Sequence, residues 1–145
     1  MSPGIAVLVV ALVAGVLLSL LKTWYDGRFR ESPVVRGAAV DEDRVDASDL
    51  GVELGERATL LQFSSAFCAP CRATRRVLAD VESMVDGVRH VELDAESNLD
   101  LVRRLDILRT PTVLVLDSSG AVVTRASGQP HKPAVIAALG TALAS

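Results

Sequence analysis

Residues 58–85 read ATLLQFSSAFCAPCRATRRVLADVESMV and contain the only two cysteines of the 145-residue chain, Cys68 and Cys71. The first seven residues of this stretch are a short apolar run, which is typical of a buried strand. After the cysteines, apolar residues recur at helical spacing and predict a helix over about residues 70–85, ending before Gly87. The stretch therefore predicts a strand followed by a helix, with both cysteines at the junction.

This junction suits the chemistry of a reactive dithiol. Residues three apart share one face of a helix, so the two sulfur atoms can meet. The free N–H groups and the dipole at a helix start stabilise negative charge, which favours the nucleophilic thiolate form of Cys68. Pro70 lacks a backbone donor that would go unused at this position. Arg72, Arg75 and Arg76 add positive charge nearby, although a solvated helix face explains them equally well.

The residues after this helix predict the rest of an α/β domain. The predicted elements are a strand at 88–94, a helix at 97–105 with Ser97 or Asn98 as its N-cap, a strand at 112–116, a turn at 117–120, a strand at 121–126 and a helix over about 133–143. This order implies parallel strand pairing in the first half and antiparallel pairing in the second. Segment 44–57 is compatible with either an extra strand or a short helix.

The strand, the FCAPC motif, the amphipathic helix and the RTPT tetrapeptide before a hydrophobic strand together resemble the thioredoxin family over about residues 58–143. The resemblance implies an α/β, thioredoxin-like three-layer sandwich with a central mixed β-sheet. It also implies a thiol–disulfide oxidoreductase that reduces or exchanges protein disulfides, with Cys68 as the attacking cysteine and Cys71 as the resolving one. The common family motif is WCGPC, and this chain has Phe67 and Ala69 where that motif has tryptophan and glycine.

The resemblance extends to the surroundings of the dithiol. Pro111 matches the family's cis-proline, and Thr110 before it is then expected to hydrogen-bond an extended substrate strand. The other candidate substrate-binding residues are Phe67, Ala69, Pro70 and Gly128. The resemblance implies no metal and no organic cofactor. The implied partners are protein disulfide substrates and a separate reductase or membrane electron donor that restores the dithiol.

Gln62 departs from the family pattern. It lies six residues before Cys68, where thioredoxins usually carry a buried aspartate that helps to move the proton of the resolving cysteine. An amide avoids the cost of a buried charge, but it cannot act as a base. We expect His90 on the next strand, or solvent, to handle this proton, and the alternative is a partly exposed histidine with no catalytic part. His131 is expected at the surface, at the start of the last helix.

Other functions remain open at the level of the sequence. The spacing of Cys68 and Cys71 also occurs in zinc sites, so a copper- or zinc-binding module, or a redox-inactive module of the same fold, is an alternative. A structural zinc site needs four ligands, however, and the chain has only two histidines to add to the two cysteines. A structural disulfide is a weak explanation, because so small a loop restrains little of the chain. The net charge of −3 is not decisive, and without an aromatic-rich basic patch no nucleic-acid partner is expected.

The N-terminus predicts a single membrane anchor. The uncharged apolar run 5–21 approaches the roughly 20 residues that cross a bilayer, and Trp24 and Tyr25 follow it where interfacial aromatic residues belong. A cleaved signal peptide would need a basic start and a small-residue cleavage site. The chain has neither, so we expect an uncleaved, single-pass anchor that contacts the lipid bilayer through residues 5–21.

The predicted organisation is an anchor at 1–25, a linker at 26–43 and a thioredoxin-like domain at 44–145. Lys22 and the arginines at 28, 30 and 36 follow the apolar run, whereas no basic residue precedes it. The positive-inside tendency therefore predicts an N-terminus outside and a domain in the cytoplasm. An extracytoplasmic domain is the alternative.

Overall fold

The computed structural model describes residues 2–25, 29–31 and 43–144. In chain order its elements are α1 (Pro3–Tyr25), β1 (Phe29–Glu31), α2 (Ala47–Leu50), β2 (Ala58–Ser64), α3 (Ala69–Met84), β3 (Val88–Asp94), α4 (Leu99–Arg104), β4 (Thr112–Asp117), β5 (Val122–Ser127) and α5 (Lys132–Leu143). Within the described residues, five strands form one sheet in the order β1-β5-β4-β2-β3.

The sheet is mixed. Strand β2 pairs in parallel with β3, through the crossover that contains α3, and antiparallel with β4. The other two pairings, β4 with β5 and β1 with β5, are antiparallel. The predicted fold class, a thioredoxin-like arrangement around a central mixed sheet, is confirmed.

Two apolar clusters cover the two faces of the sheet, because successive side chains of β2 and β4 point to opposite faces. On one face the strands pack against α3 and α5, through Leu60, Val113, Val115, Leu78, Val81, Val135 and Leu139. On the other face they pack against α2 and α4, through Leu61, Phe63, Leu114, Leu116, Leu50 and Leu101. Burial on both faces explains why these two strands are continuous apolar runs in the sequence.

Helix α4 begins at Leu99 with Asn98 as its N-cap, which is one of the two predicted candidates, and Ser97 lies before the helix. The cause is Asp94 at the end of β3. Its carboxylate accepts hydrogen bonds from the Ser97 hydroxyl and the Glu96 amide, and its carbonyl accepts one from the side chain of Asn98. These bonds hold the segment after β3 in a turn, and Asn98 becomes the N-cap of α4.

Two short elements lie where the sequence gives no clear pattern. Helix α2 occupies part of the undecided segment 44–57, and Arg44 pairs with Ala121 in an isolated β-bridge. Strand β1 lies within residues 26–43, predicted as a linker, and pairs with β5 from Phe29 opposite Ala126 to Glu31 opposite Thr124. Part of that segment therefore belongs to the sheet, while residues 26–28 and 32–42 lie outside the described residues.

Helix α1 is 23 residues long, apolar enough to cross a bilayer, and none of its described side chains is buried. Length and composition fit a membrane span, and a signal sequence passes the same test. Trp24 and Tyr25 lie in its last turn, and both side chains are exposed.

Candidate active site

The two cysteines lie where β2 gives way to α3. Cys68 is the N-cap of the 16-residue helix α3, and Cys71 lies within its first turn. Their Sγ atoms are 2.07 Å apart and form a disulfide bond. The backbone N–H of Cys71 donates a hydrogen bond to Sγ of Cys68 at 3.2 Å, so the sulfur occupies the place of a side-chain oxygen in an ordinary helix cap.

The two sulfur-bearing residues differ in access to solvent. Cys71 is buried, with 2% of its surface exposed, whereas Cys68 is half-buried and both intervening residues, Ala69 and Pro70, are exposed. Phe67 has φ of 59° and its side chain is fully exposed. Its aromatic ring thus does not cover the dithiol, and it leaves an apolar surface beside Cys68 for another molecule.

The segment around Pro111 faces the same end of the sheet. The Thr110–Pro111 peptide bond is cis, and the Thr110 hydroxyl forms a 2.8 Å hydrogen bond with the hydroxyl of Ser65. The N–H of Gly128 donates to the Pro111 carbonyl at 2.7 Å. Gly128 has φ of 96°, in the left-handed region that favours glycine.

Gln62 is fully buried and its amide has three hydrogen-bond partners. Nε2 donates to the carbonyl of Cys71 at 2.9 Å and to the Ser64 hydroxyl at 3.0 Å. Oε1 lies 3.0 Å from Nε2 of His90. This set of partners fixes the amide orientation, and it makes Nε2 of His90 the donor.

His90 lies on β3 and reaches the dithiol only through Gln62, two hydrogen bonds away from Cys71. Burial lowers the pKa of His90 from its ordinary value of 6.5. Glu82 and Glu92 act in the opposite direction and Arg75 reinforces the lowering, but burial is the largest cause. His90 is therefore neutral at neutral pH.

The arginines that follow the cysteines have different surroundings. Arg75 forms a bidentate ion pair with Glu92 on β3, and its NH2 group lies 2.8 Å from Oε1. Hydrogen bonding from this guanidinium is the largest cause that lowers the pKa of Glu92. Arg72 and Arg76 are exposed on the first turns of α3. Of these three arginines, Arg75 is thus held in an ion pair, whereas Arg72 and Arg76 fit a solvated helix face.

A groove of about 790 Å³ opens beside the dithiol. One wall comes from the loops that carry the predicted substrate contacts, and the other comes from the last turns of α1. Its lining residues are Leu17, Leu20, Leu21, Thr23, Trp24, Pro70, Arg109, Thr110, Pro111, Gly128, Gln129 and His131. The groove therefore brings together four of the predicted substrate-binding residues, Pro70, Thr110, Pro111 and Gly128.

Several residues of this site were not identified from the sequence. Ser65 bonds to Thr110, and Arg109 donates a hydrogen bond from its NH2 group to the Ser127 carbonyl. Their positions, directly after β2 and directly before Thr110, are the signal that could have identified them. The sequence could not place Leu20, Leu21 and Trp24 of α1 in this groove. Their position depends on the pairing of β5 with β1, which follows α1 in the chain. Within residues 2–25, 29–31 and 43–144, no three His, Cys, Asp or Glu side chains are grouped as metal ligands would be.

The chain is similar to thioredoxins both in sequence and in structure. A family model described as thioredoxin matches residues 44–140. The chain is 28% identical over 81 residues to a thioredoxin of Bacillus subtilis (strain 168), a match that covers 55% of this chain and 78% of that protein. Chloroplastic thioredoxin z is similar in structure, with a TM-score of 0.58, 22% identity, and coverage of 71% of this chain and 95% of that chain. The oxidised form of mitochondrial thioredoxin 3 from Saccharomyces cerevisiae has a TM-score of 0.52 and 18% identity, over 59% of this chain and 78% of that chain.

Proposed function

The chain belongs to the thioredoxin family, and from this premise we propose that it is a membrane-anchored thiol–disulfide oxidoreductase that reduces or exchanges protein disulfides. The observation that carries the proposal is the hydrogen bond from the Cys71 N–H to Sγ of Cys68 at the start of α3. A backbone donor at a helix N-terminus stabilises a thiolate more than a thiol, so Cys68 is the better nucleophile of the pair. Its greater exposure also makes it the sulfur that a partner can reach.

In the proposed reaction, the Cys68 thiolate attacks one sulfur of a substrate disulfide. A mixed disulfide forms between Cys68 and the substrate, and the other substrate sulfur leaves as a thiolate. Deprotonated Cys71 then attacks Sγ of Cys68, which forms the Cys68–Cys71 disulfide and releases the second substrate thiolate. Two electrons pass from the protein dithiol to the substrate, and a reductase or a membrane dithiol donor returns them.

The substrate is proposed to lie across the groove beside the dithiol. Thr110 and Pro111 supply backbone groups for an extended peptide, while the exposed surfaces of Phe67, Ala69 and Pro70 flank Cys68. Gly128 supports this arrangement because its N–H holds the Pro111 carbonyl. A side chain at that position would sit in a strained left-handed conformation.

Gln62 is proposed to be a positioning residue. It fixes the backbone carbonyl of Cys71 and has no ionisable group to accept a proton. His90 on β3 holds the Gln62 amide in place by a hydrogen bond. Because burial lowers the pKa of His90, its imidazole adds no positive charge beside Gln62 at neutral pH. In this arrangement His90 affects the resolving cysteine through Gln62, and solvent takes the Cys71 proton.

The membrane part of the proposal rests on α1. We propose that α1 is an uncleaved anchor and that the basic residues after it keep the thioredoxin domain in the cytoplasm. A cytoplasmic domain would mainly reduce disulfides, because that compartment keeps thiols reduced.

The test is the reduction of insulin disulfides by the full chain in detergent micelles, with dithiothreitol as electron source. The wild type should accelerate reduction, and Cys68→Ser should fall to the uncatalysed rate. In a separate incubation without dithiothreitol, reduced Cys71→Ser should accumulate a mixed disulfide with insulin that is visible on a non-reducing gel. Ser83→Ala, at the far end of α3, is the matched control and should behave as wild type. An unaccelerated rate with the wild type, or full activity of Cys68→Ser, would refute the proposal.

A further inference from the structure

The chain enters the sheet at the same end as the dithiol. Strand β1 begins at Phe29, which is opposite Ala126 of β5, and runs away from there to Glu31, opposite Thr124. Beyond Ala126, strand β5 leads within two residues to Gly128, whose N–H bonds to Pro111. The far end of β4 and β5 carries the turn at 117–121, where Arg44 pairs with Ala121.

The end of α1 is therefore tied closely to the redox end of the domain. Only three residues separate Tyr25, the last residue of α1, from Phe29. An extended chain covers at most about 3.6 Å per residue, so the four steps from Tyr25 to Phe29 span no more than about 14 Å. The turn at 117–121 lies a further strand length away, about 20 Å for the six residues of β4.

The groove agrees with this constraint. Its walls include Leu20, Leu21 and Trp24 from the last turns of α1, together with Pro70 and Pro111 from the redox loops. Aromatic residues at the end of a membrane span lie at the lipid–water interface. The α1 wall of the groove runs from Leu17 to Trp24, roughly 10 Å along the helix axis. With α1 across a bilayer, the loops that share this groove lie at the level of Trp24 and just below it.

We propose that the dithiol is held at the lipid–water interface, and that its substrate is a disulfide-bearing extended segment of another integral membrane protein. The inference rests on the proposed function and on α1 spanning the bilayer. A partner in solution would have to reach the groove through the headgroup layer, whereas a membrane protein presents juxtamembrane segments at that depth. Exposed Arg72 and Arg76 fit the same location, since anionic headgroups attract cationic side chains near the membrane surface.

The first experiment measures the depth of the dithiol. The chain has two cysteines, so Cys71→Ser leaves Cys68 as the single labelling site. The labelled full chain is placed in phosphatidylcholine–phosphatidylglycerol vesicles that carry a nitroxide quencher on lipid headgroups. The reference is Ser119→Cys in a background of Cys68→Ser and Cys71→Ser, at the far turn. We expect quenching at Cys68 to exceed quenching at residue 119 at least about threefold, and equal quenching overturns the inference.

Two insertions provide the matched control. Twelve Gly/Ser residues after Gly27 lengthen the connection between α1 and β1, and should abolish the difference between the two labels. The same insertion after Gly37 lengthens the chain beyond β1 and should leave the difference intact. If both insertions act alike, the connection between α1 and β1 is not what sets the depth.

The second experiment tests the substrate class with unlabelled wild-type protein in the same vesicles. One disulfide peptide is joined directly to a lipid, and another carries a proline spacer of about 15 residues that lifts the disulfide roughly 45 Å from the surface. We expect the short form to be reduced at least about threefold faster, and the insertion after Gly27 to remove this preference. Equal rates with retained insulin reduction overturn the inference alone, whereas loss of insulin reduction by the wild type overturns the proposed function.

Discussion

At the scale of single residues, Gln62 shows what the sequence can and cannot disclose. A polar side chain in the middle of an apolar strand predicts a buried neutral group, and the residue is fully buried. The hydrogen-bond partners of Gln62 were harder to predict, because the bond to the Cys71 carbonyl depends on how α3 packs over β2. His90 was identified from its strand, since β2 and β3 pair in parallel and place the two residues on one side of the sheet.

The lowered pKa of His90 predicts a pH dependence of stability. Above its ordinary value of 6.5 the side chain is neutral in both folded and unfolded chains, so its contribution to stability is complete. As the pH falls below that value, the unfolded chain binds a proton before the folded chain does, and stability is lost. His90→Gln keeps a donor for Gln62 but cannot titrate. Between pH 7.5 and about 5.5, the free energy of unfolding of this variant should therefore fall less than that of the wild type.

Urea unfolding of the full chain in detergent at several pH values measures this difference. His131→Gln is the matched control, because His131 is the other histidine and lies exposed at the N-cap of α5. The free energy of unfolding of His131→Gln should follow that of the wild type at every pH. Parallel pH profiles for wild type and His90→Gln would show that His90 is not the group responsible.

At the scale of elements, hydrophobic periodicity located the long helices and the central strands. The predicted bounds of α3 agree with the observed Ala69–Met84 to one residue, because an amphipathic pattern ends where Gly87 follows. Strand β1 was not predicted, and segment 44–57 was left open between an extra strand and the short helix α2 that the structure has there. Elements of three and four residues contain too few positions to show a period, and they form only because the sheet and core are already there to receive them.

Gly140 in α5 offers a test of helix propensity in the fold. It is exposed, and a Cβ built there would meet nothing within 4 Å. Gly140→Ala should therefore stabilise the protein by about 0.8–1.0 kcal/mol, the difference in helix propensity. In thermal unfolding, this gain should raise the Tm by roughly 4–8 °C for a domain of this size.

Gly55→Ala is the contrasting variant. A Cβ at Gly55 would lie 2.0 Å from the backbone carbonyl oxygen of Ala58, so the loop before β2 would have to move. Its Tm should fall below that of the wild type. If both alanine variants shifted the Tm in the same direction, the packing described around these two glycines would be wrong.

At the scale of the whole molecule, the CxxC and Thr-Pro motifs were enough to predict the fold class and to bring Cys68, Cys71 and Pro111 to one end of the sheet. The second wall of the groove was not predictable in the same way. It comes from α1, far from the redox loops in sequence, and it depends on β1 pairing with β5. Long-range pairing of so short a strand leaves no pattern in the sequence.

Val13, near the middle of α1, tests the anchor. Its side chain is exposed, and an arginine at the centre of a span costs about 2.5–3.5 kcal/mol of insertion free energy. Val13→Arg should therefore lower the fraction of protein that stays in membranes after carbonate extraction. Val52→Arg places the same charge on an exposed valine of the domain and should remain membrane-bound.

The intact mass of the extracted wild-type protein completes this test. A mass that includes α1 is expected, because the anchor is proposed to be uncleaved. A mass that lacks it would identify α1 as a signal sequence.

Strand β1 also bears on how neighbouring copies behave. Proteins confined to a membrane are concentrated in two dimensions, and an open sheet edge invites strand-to-strand aggregation between them. Residues 124–126 of β5 would form such an edge, but β1 already pairs with them. In the protein anchored as proposed, the strand that follows α1 therefore covers residues 124–126 of β5 and leaves in their place an edge of only three residues, which is too short to template pairing with a neighbouring copy.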